Sequence, residues 1–179
     1  MCQIHNIPIK DRFKEYSEKY QMNKKYDEPN GLNDVSKFHN TFQLPVLEEP
    51  TIPEPKRCEL RVNLLQEELD ELIEALAEKD IVEVADALCD LQYVLSGAIL
   101  EFGLAPKFKS LFDEVQRSNM SKTCKSKEEA EATLEYYKNE KDTDGHIVER
   151  NGEYLVYRNA DQKVLKSVKY SPADLKSLL

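Results

Sequence analysis

Glu67, Glu68 and Glu71, followed by Glu83 and Asp86, are the residues of this chain whose types and spacing are best suited to chemistry. At ~100° per residue the first three span about 100° of a helix surface. They lie beside Leu65, Leu69, Leu72 and Leu76, an apolar stripe of helical period. In the next segment Glu83, Asp86 and Asp90 fall within about 60° of one another on one helix face. From Val84 to Leu100, Asp86 and Asp90 are the only charged residues. A carboxylate set among Val, Ala and Leu is costly unless it is paired or bound to a metal. The pattern E-E-x-x-E, then E-x-x-D across a short turn, makes an all-oxygen site that suits Mg²⁺ or Mn²⁺ rather than Zn²⁺. Two plainer readings stand beside it. Glu67, Glu68, Asp70, Glu71 and Glu74 also describe a solvated acidic face. Glu83 also completes a capping box with Asp80.

Positioning these groups requires two long helices. The first is expected from Lys56 to Lys79, about 24 residues or ~36 Å. Asp80 then caps the second, which runs to about Phe102 and closes at Gly103 in a left-handed cap. Gly97 inside it implies close approach of another helix. Upstream, Asp11–Tyr20 reads as a short helix and Pro29-Asn30-Gly31 as a break. Asp34 caps a helix in which Val35, Phe38, His39 and Phe42 share a face. His39 there is either a packed core histidine or a contact to a nucleobase or sugar. Pro45, Pro50, Pro53 and Pro55 make Leu44 to Pro55 an extended strap.

Downstream, Pro106 opens a third helix carrying Phe108, Leu111, Phe112 and Val115 on one stripe. It leads into Arg117, Asn119, Lys122 and Lys125, the densest positive charge near the acidic helices. An ammonium and an amide suit phosphate oxygens, and cations at a helix end also suit its dipole. Ser126 and Glu129 form a capping box for a helix through about Asn139. DTDGHI resembles part of a calcium loop, but Asn151 stands at the last liganding position, so a turn is expected. From Glu153 the alternation predicts two strands around a turn at Asn159–Gln162. Ser171-Pro172 then makes a turn before a final short helix.

The chain has 179 residues and a net charge of −9, from 25 Lys and Arg against 34 Asp and Glu. That balance argues against binding a nucleic-acid polymer, which wants a basic face. It leaves a nucleotide substrate open, because a divalent metal reverses the local sign. No apolar run approaches the ~20 residues needed to span a membrane, and the N-terminus has no apolar core of signal-peptide type. Cys2, Cys58, Cys89 and Cys124 are scattered without a C-x-x-C pair. Reduced thiols in a cytoplasmic protein are the simplest account.

Residues 57–122 resemble the all-α nucleoside triphosphate pyrophosphohydrolases, the superfamily of MazG, dimeric dUTPase and phosphoribosyl-ATP pyrophosphohydrolase. The likeness rests on Glu67, Glu68 and Glu71 in EELDE and on Glu83 and Asp86 in EVADALCDLQYVLSGA. VADALCDLQYV is most similar to the phosphoribosyl-ATP pyrophosphohydrolase-like branch, as are VSKFHNTFQLPV and SNMSK. The resemblance implies that the acidic residues bind Mg²⁺ and that cleavage falls between the α- and β-phosphates, leaving a monophosphate and pyrophosphate. It places SNMSK at the phosphate end of the site, and implies a dimer or tetramer.

The expected architecture is therefore an all-α antiparallel helical bundle, completed by oligomerisation, with a small C-terminal β-hairpin. Residues 1–33 form an N-terminal extension, 34–140 the helical domain and 141–179 the hairpin appendage. Glu67, Glu68, Glu71, Glu83 and Asp86 are expected to hold Mg²⁺ or Mn²⁺, with Glu67 accepting a proton from water. His39, Asp90, Asn119 and Lys122 are expected to touch a nucleoside triphosphate, and the partner is a second copy. The expected activity is housecleaning pyrophosphohydrolysis. The alternatives are phosphoribosyl-ATP hydrolysis in histidine synthesis and a non-catalytic helical oligomerisation module. The proline strap and the hairpin depart from the compact enzyme of that pathway.

Overall fold

Caps and breaks written into the sequence set the element boundaries. A computed structural model describes residues 25–179, so the helix expected over Asp11–Tyr20 lies outside the described residues. The chain divides into two units, Met1–Asn30 and Gly31–Leu179, and the elements below belong to the second. Helix α1 is Gly31–Thr41. It starts earlier than expected, so Asp34 is not its cap but sits in the first turn, where a carboxylate favours the helix dipole. Helix α2, Pro55–Glu78, opens on proline and ends where Lys79 turns left-handed at φ 60°. The Lys79 N–H returns to the carbonyls of Ala75 and Leu76. Asp80 caps α3, Ile81–Glu101, accepting from the amides of Val82 at 2.9 Å and Glu83 at 3.3 Å.

The strap between α1 and α2 is helix-free over residues 44–54 and docks on the end of α3. The amides of Leu47 and Thr51 donate to the carbonyls of Leu100 and Phe102, each at 3.0 Å. Gly103 makes this approach feasible. Its φ is +66°, and an added β-carbon would lie 1.9 Å from the Glu49 carbonyl oxygen.

The joint between α1, α2 and α3 is polar. Glu101, 1% exposed, ends α3 and accepts from Arg61 at 2.5 Å and from Arg57. His39, 2% exposed, donates from Nδ1 to the Pro45 carbonyl at 2.8 Å. A carbonyl only accepts, so Nδ1 carries the proton and Nε2 accepts from Arg61 at 3.2 Å. Gly97 makes room for this group: a β-carbon there would sit 2.7 Å from the Arg61 guanidinium and 3.1 Å from His39 Nε2. The close approach expected at Gly97 is thus made by two polar side chains rather than by another helix's backbone.

Beyond α3 the chain departs from expectation in three places. Pro106 lies in a 3₁₀ turn, Ala105–Lys107, and helix α4 follows as Phe108–Met120. Helix α5, Lys127–Lys141, is capped by Ser126, whose hydroxyl accepts from the Glu129 amide at 3.2 Å. The hairpin comes earlier than expected. Its strands are β1, Gly145–Arg150, and β2, Glu153–Arg158, paired antiparallel with Arg150 opposite Glu153. Asn151 and Gly152 turn it at φ 52° and 78°, the left-handed pair a two-residue turn needs. The segment after Asn159–Gln162 forms only an isolated bridge, Tyr157 to Val164. The last residues end in a turn rather than the expected short helix. Cys124, Ala130, Val156 and Leu165 form a small buried cluster under α5 and the hairpin.

The helical part exposes much apolar surface. Leu69 and Leu76 of the expected stripe are exposed, and α2 turns Arg61, Leu65, Glu68, Leu72 and Ala75 inward instead. Val62 is 65% exposed and Ile81 76%. Among the described residues, no single helix is long and apolar enough to cross a membrane, and Cys58, Cys89 and Cys124 are free thiols.

Burial pushes the Glu101 carboxyl up, but the Arg61 and Arg57 guanidinium groups outweigh it and hold it below its ordinary 4.5. Its contribution to stability is therefore present above that value and is lost as pH falls through the lowered one. Glu101→Gln leaves a buried guanidinium charge uncompensated and should cost roughly 3–5 kcal/mol in urea unfolding. The variant should also lose less stability than wild type on acidification. Equal acid sensitivity would show that Glu101 does not govern it.

Candidate functional site

Near the turn that joins α2 to α3, the two helices enclose a cleft of about 340 Å³ lined by Glu71, Glu74, Ala75, Glu78, Glu83, Asp86 and Ala87. Ala75 and Ala87 are buried, and their small side chains let the helices approach while carboxylates from both stand around the opening. Farther along α2, Glu68 is half-buried. Its pKa is raised, first by burial and then by the charges of Glu71, Asp90, Glu67 and Asp86. Two overlapping acidic sets result. Glu71 and Asp86 belong to both, Glu83 to the cleft, and Glu67 and Asp90 to the surroundings of Glu68.

The structure thus places Glu71, Glu83 and Asp86 around one cleft between the two helices, with Glu68 farther along α2 and Glu67 exposed beside it. Their side chains stand apart, however. Among the described residues no three Asp, Glu, His or Cys groups are placed tightly enough to hold a metal ion. The donor chemistry still fits a hard divalent cation. All are carboxylates, most are on exposed side chains free to change rotamer, and their mutual repulsion at Glu68 is what a cation relieves. Asp86 is exposed and Asp90 half-buried. Within one chain, therefore, neither is an acid sunk in an apolar helix.

The other expected contacts fare differently. His39 is enclosed in the joint with both ring nitrogens hydrogen-bonded to protein. The packed-core reading describes this geometry, in which both ring nitrogens are engaged by the protein. Lys122 Nζ donates to Asn119 Oδ1 at 2.8 Å at the end of α4. That helix packs extensively on neither α2 nor α3. Asn119 and Lys122 are not brought to the acidic cleft within a single chain.

Residues 35–119 match the phosphoribosyl-ATP pyrophosphohydrolase family. The family is part of the MazG-like NTP pyrophosphohydrolase superfamily, whose resemblance the acidic motif carries. The helical body, from α1 to the end of α4, is the part of the chain that carries this similarity. The match supports a pyrophosphohydrolase-like activity, that of a hydrolase acting on pyrophosphate bonds. The strap lies inside this span, and α5 and the hairpin lie beyond it. An uncharacterized protein of Acanthamoeba polyphaga mimivirus is 24% identical, over 81% of this chain and 94% of its own length.

Within the family-matched region, sequence reasoning passed over Glu74 and Glu78 as site residues. Their signal was the i, i+3, i+7 spacing from Glu71, which puts all three on one face. Arg57, Arg61 and Glu101 were also missed. A Glu closing the uncharged stretch Leu91–Leu100, with an Arg on the inward face of the neighbouring helix, was the available clue.

Asp90 is placed to act on Glu68 electrostatically. Asp90→Asn should lower the Glu68 pKa in the metal-free protein, followed by carboxyl ¹³C chemical shift against pH. An unchanged Glu68 titration would remove Asp90 from the acidic set.

Proposed function

We propose that this chain is a divalent-metal-dependent nucleoside triphosphate pyrophosphohydrolase, giving nucleoside monophosphate and pyrophosphate in a housecleaning role. The observation that supports it most is the crowding of Glu68 by Glu67, Glu71, Asp86 and Asp90 inside the family-matched region. Glu67, Glu68, Glu71, Glu83 and Asp86 would hold Mg²⁺ or Mn²⁺, which at such a site neutralises triphosphate charge and activates water. Glu67, exposed on the rim of α2, is the residue assigned to accept the water's proton. Asp90 orients Glu68 or touches the sugar. Asn119 and Lys122 grip phosphate oxygens.

Because α4 does not reach the cleft within one chain, a second copy supplies Asn119 and Lys122 in this reading. The same copy covers apolar residues that the single chain leaves exposed on α2, α3 and α4, among them Ile73, Leu88 and Phe112. A homodimer or homotetramer follows. Light scattering at micromolar concentration should find it, and an active monomer would remove this part of the proposal.

The deciding experiment combines a panel of canonical and damaged nucleoside triphosphates with metal control. With Mg²⁺ the products should be monophosphate and pyrophosphate. Mg²⁺ at about 100 times its Kd should stabilise the fold by ~2.7 kcal/mol through mass action. Asp86→Asn should abolish turnover and blunt that shift. Hydrolysis undiminished in excess chelator would sink the metal mechanism. A protein with neither metal-induced stabilisation nor hydrolysis would be a non-catalytic helical module.

Lys122→Ala should reduce kcat/KM by the equivalent of ~1.5–3 kcal/mol, the worth of a charge-assisted contact. Unchanged kinetics on the best substrate would take Lys122 out of the site.

A further inference from the structure

The turn that carries Asn119 and Lys122 is tied down on both sides by the part of the chain beyond the family-matched region. On one side, Tyr170 to Asp174 clasps the last turns of α4. The hydroxyls of Ser118 and Tyr170 are 2.9 Å apart, and Ser118 is buried. Arg117 donates to Ser171 Oγ and to the Pro172 carbonyl, each at 3.0 Å. The Ser171 amide donates to Ser121 Oγ at 3.0 Å, and the Asp174 amide donates to Glu114 at 2.8 Å. On the other side, Cys124 exchanges backbone hydrogen bonds with Tyr154 of β2 at 2.8 and 2.9 Å. Lys125 is paired with Glu153 of the same strand. Between these two anchors the Lys122 amide donates to the Asn119 carbonyl at 3.2 Å, and the two side chains meet.

Arg117 makes the clasp durable. Its hydrogen bond and the Asp174 amide hold the Glu114 carboxyl at about 2, well below its ordinary 4.5. The contribution is present above 4.5 and is lost only as pH falls through about 2. Arg117 is occupied by Glu114 at 2.7 Å and by the tail, and Lys125 by Glu153, so the cation left to the segment is Lys122, beside the neutral Asn119 amide.

We infer that the C-terminal hairpin and the Tyr170–Asp174 clasp form a mount that sets the orientation of Asn119 and Lys122 toward the triphosphate, with Tyr170 and Ser171 as positioning residues. The inference rests on the phosphate role proposed for that pair. It also accounts for the appended segment, because α4 lacks extensive packing on the acidic helices and its end must be fixed from elsewhere. A preset ammonium–amide pair loses less freedom when phosphate binds than a free lysine does.

The test is a cycle in the full-length protein with Mg²⁺ and its best nucleoside triphosphate. It compares wild type, Tyr170→Ala/Ser171→Ala, Lys122→Ala and the triple variant. Tyr170→Ala/Ser171→Ala should raise KM about tenfold with kcat within about twofold. Amide hydrogen exchange should quicken at residues 118–123, and far-UV circular dichroism should be unchanged. In the Lys122→Ala background the same two substitutions should change KM much less than in wild type, since only Asn119 is then left for the clasp to place. Tyr170→Phe, which keeps the ring and loses only the Ser118 hydrogen bond, should recover part of the KM. A raised KM for Lys122→Ala beside an unchanged one for the clasp variant would overturn the mount and leave the proposed activity standing. Equal, additive effects in both backgrounds would also overturn it. A wild-type protein that hydrolyses no triphosphate would overturn the activity and the mount together.

Discussion

The register of the two acidic helices depends on one buried ionic joint. Glu101, at the end of α3, is shared by Arg61 and Arg57 near the start of α2. Through His39 and the Pro45 carbonyl the same group reaches α1 and the strap. Taking these charges out of water is expensive, and the geometry must be nearly complete to offset it. Two guanidinium groups around one carboxylate, with room left by Gly97, come close to that condition. A joint of this kind tolerates little sliding, because a helix shift of one residue, ~1.5 Å, would misalign it. It therefore fixes the register of α2 against α3 at one end of the pair. The Lys79–Asp80 turn fixes the other, and the acidic cleft lies between them, ~15 Å along α2 from Arg61 to Glu71.

Local signals made much of this architecture legible. Pro55, Asp80 and Gly103 mark helix ends through missing donors, a capping carboxylate and a left-handed backbone, all of which act within a few residues. The acidic motif was equally local. The ionic joint was not, because Arg61 and Glu101 lie forty positions apart and no short-range rule pairs them. For the same reason His39 could be placed on a face but not given partners. The hairpin was misplaced for a different reason. Asn151-Gly152 is the strongest two-residue turn signal in the segment. The calcium-like spacing before it and the longer alternation after it drew the strands out of place.

The single chain leaves two imbalances on the same helices. Apolar side chains such as Val62, Ile81 and Val82 face solvent, and burial, with neighbouring carboxylates adding to it, raises the Glu68 pKa. These call for different remedies. Apolar area is relieved by a protein surface, and like charge is relieved by a cation. A substrate carrying triphosphate would worsen the second imbalance unless the cation came with it. In the proposed reading, assembly and metal binding are accordingly linked: covering the helices lowers the local dielectric, which raises both the cost of bare carboxylates and their affinity for a divalent ion.

The basic turn raises the complementary problem. A lysine at a frayed helix end has many rotamers, and ordering one for each substrate costs up to ~2 kcal/mol. Within the helix itself, α4 ends on short local bonds: the Ser121 amide and hydroxyl meet the Arg117 and Ser118 carbonyls, and the Thr123 hydroxyl meets that of Met120. Left alone, that end would be among the looser parts of the fold. Here Ser118, Ser121 and Cys124 each bond to a different point of the C-terminal segment. That segment is in turn seated on its own small core around Val156 and Leu165. The rigidity at Asn119 and Lys122 is thus drawn from a hydrophobic cluster outside the family-matched region. The acidic half is held by ions and the basic half by a separate apolar seat, so each can be perturbed without dismantling the other.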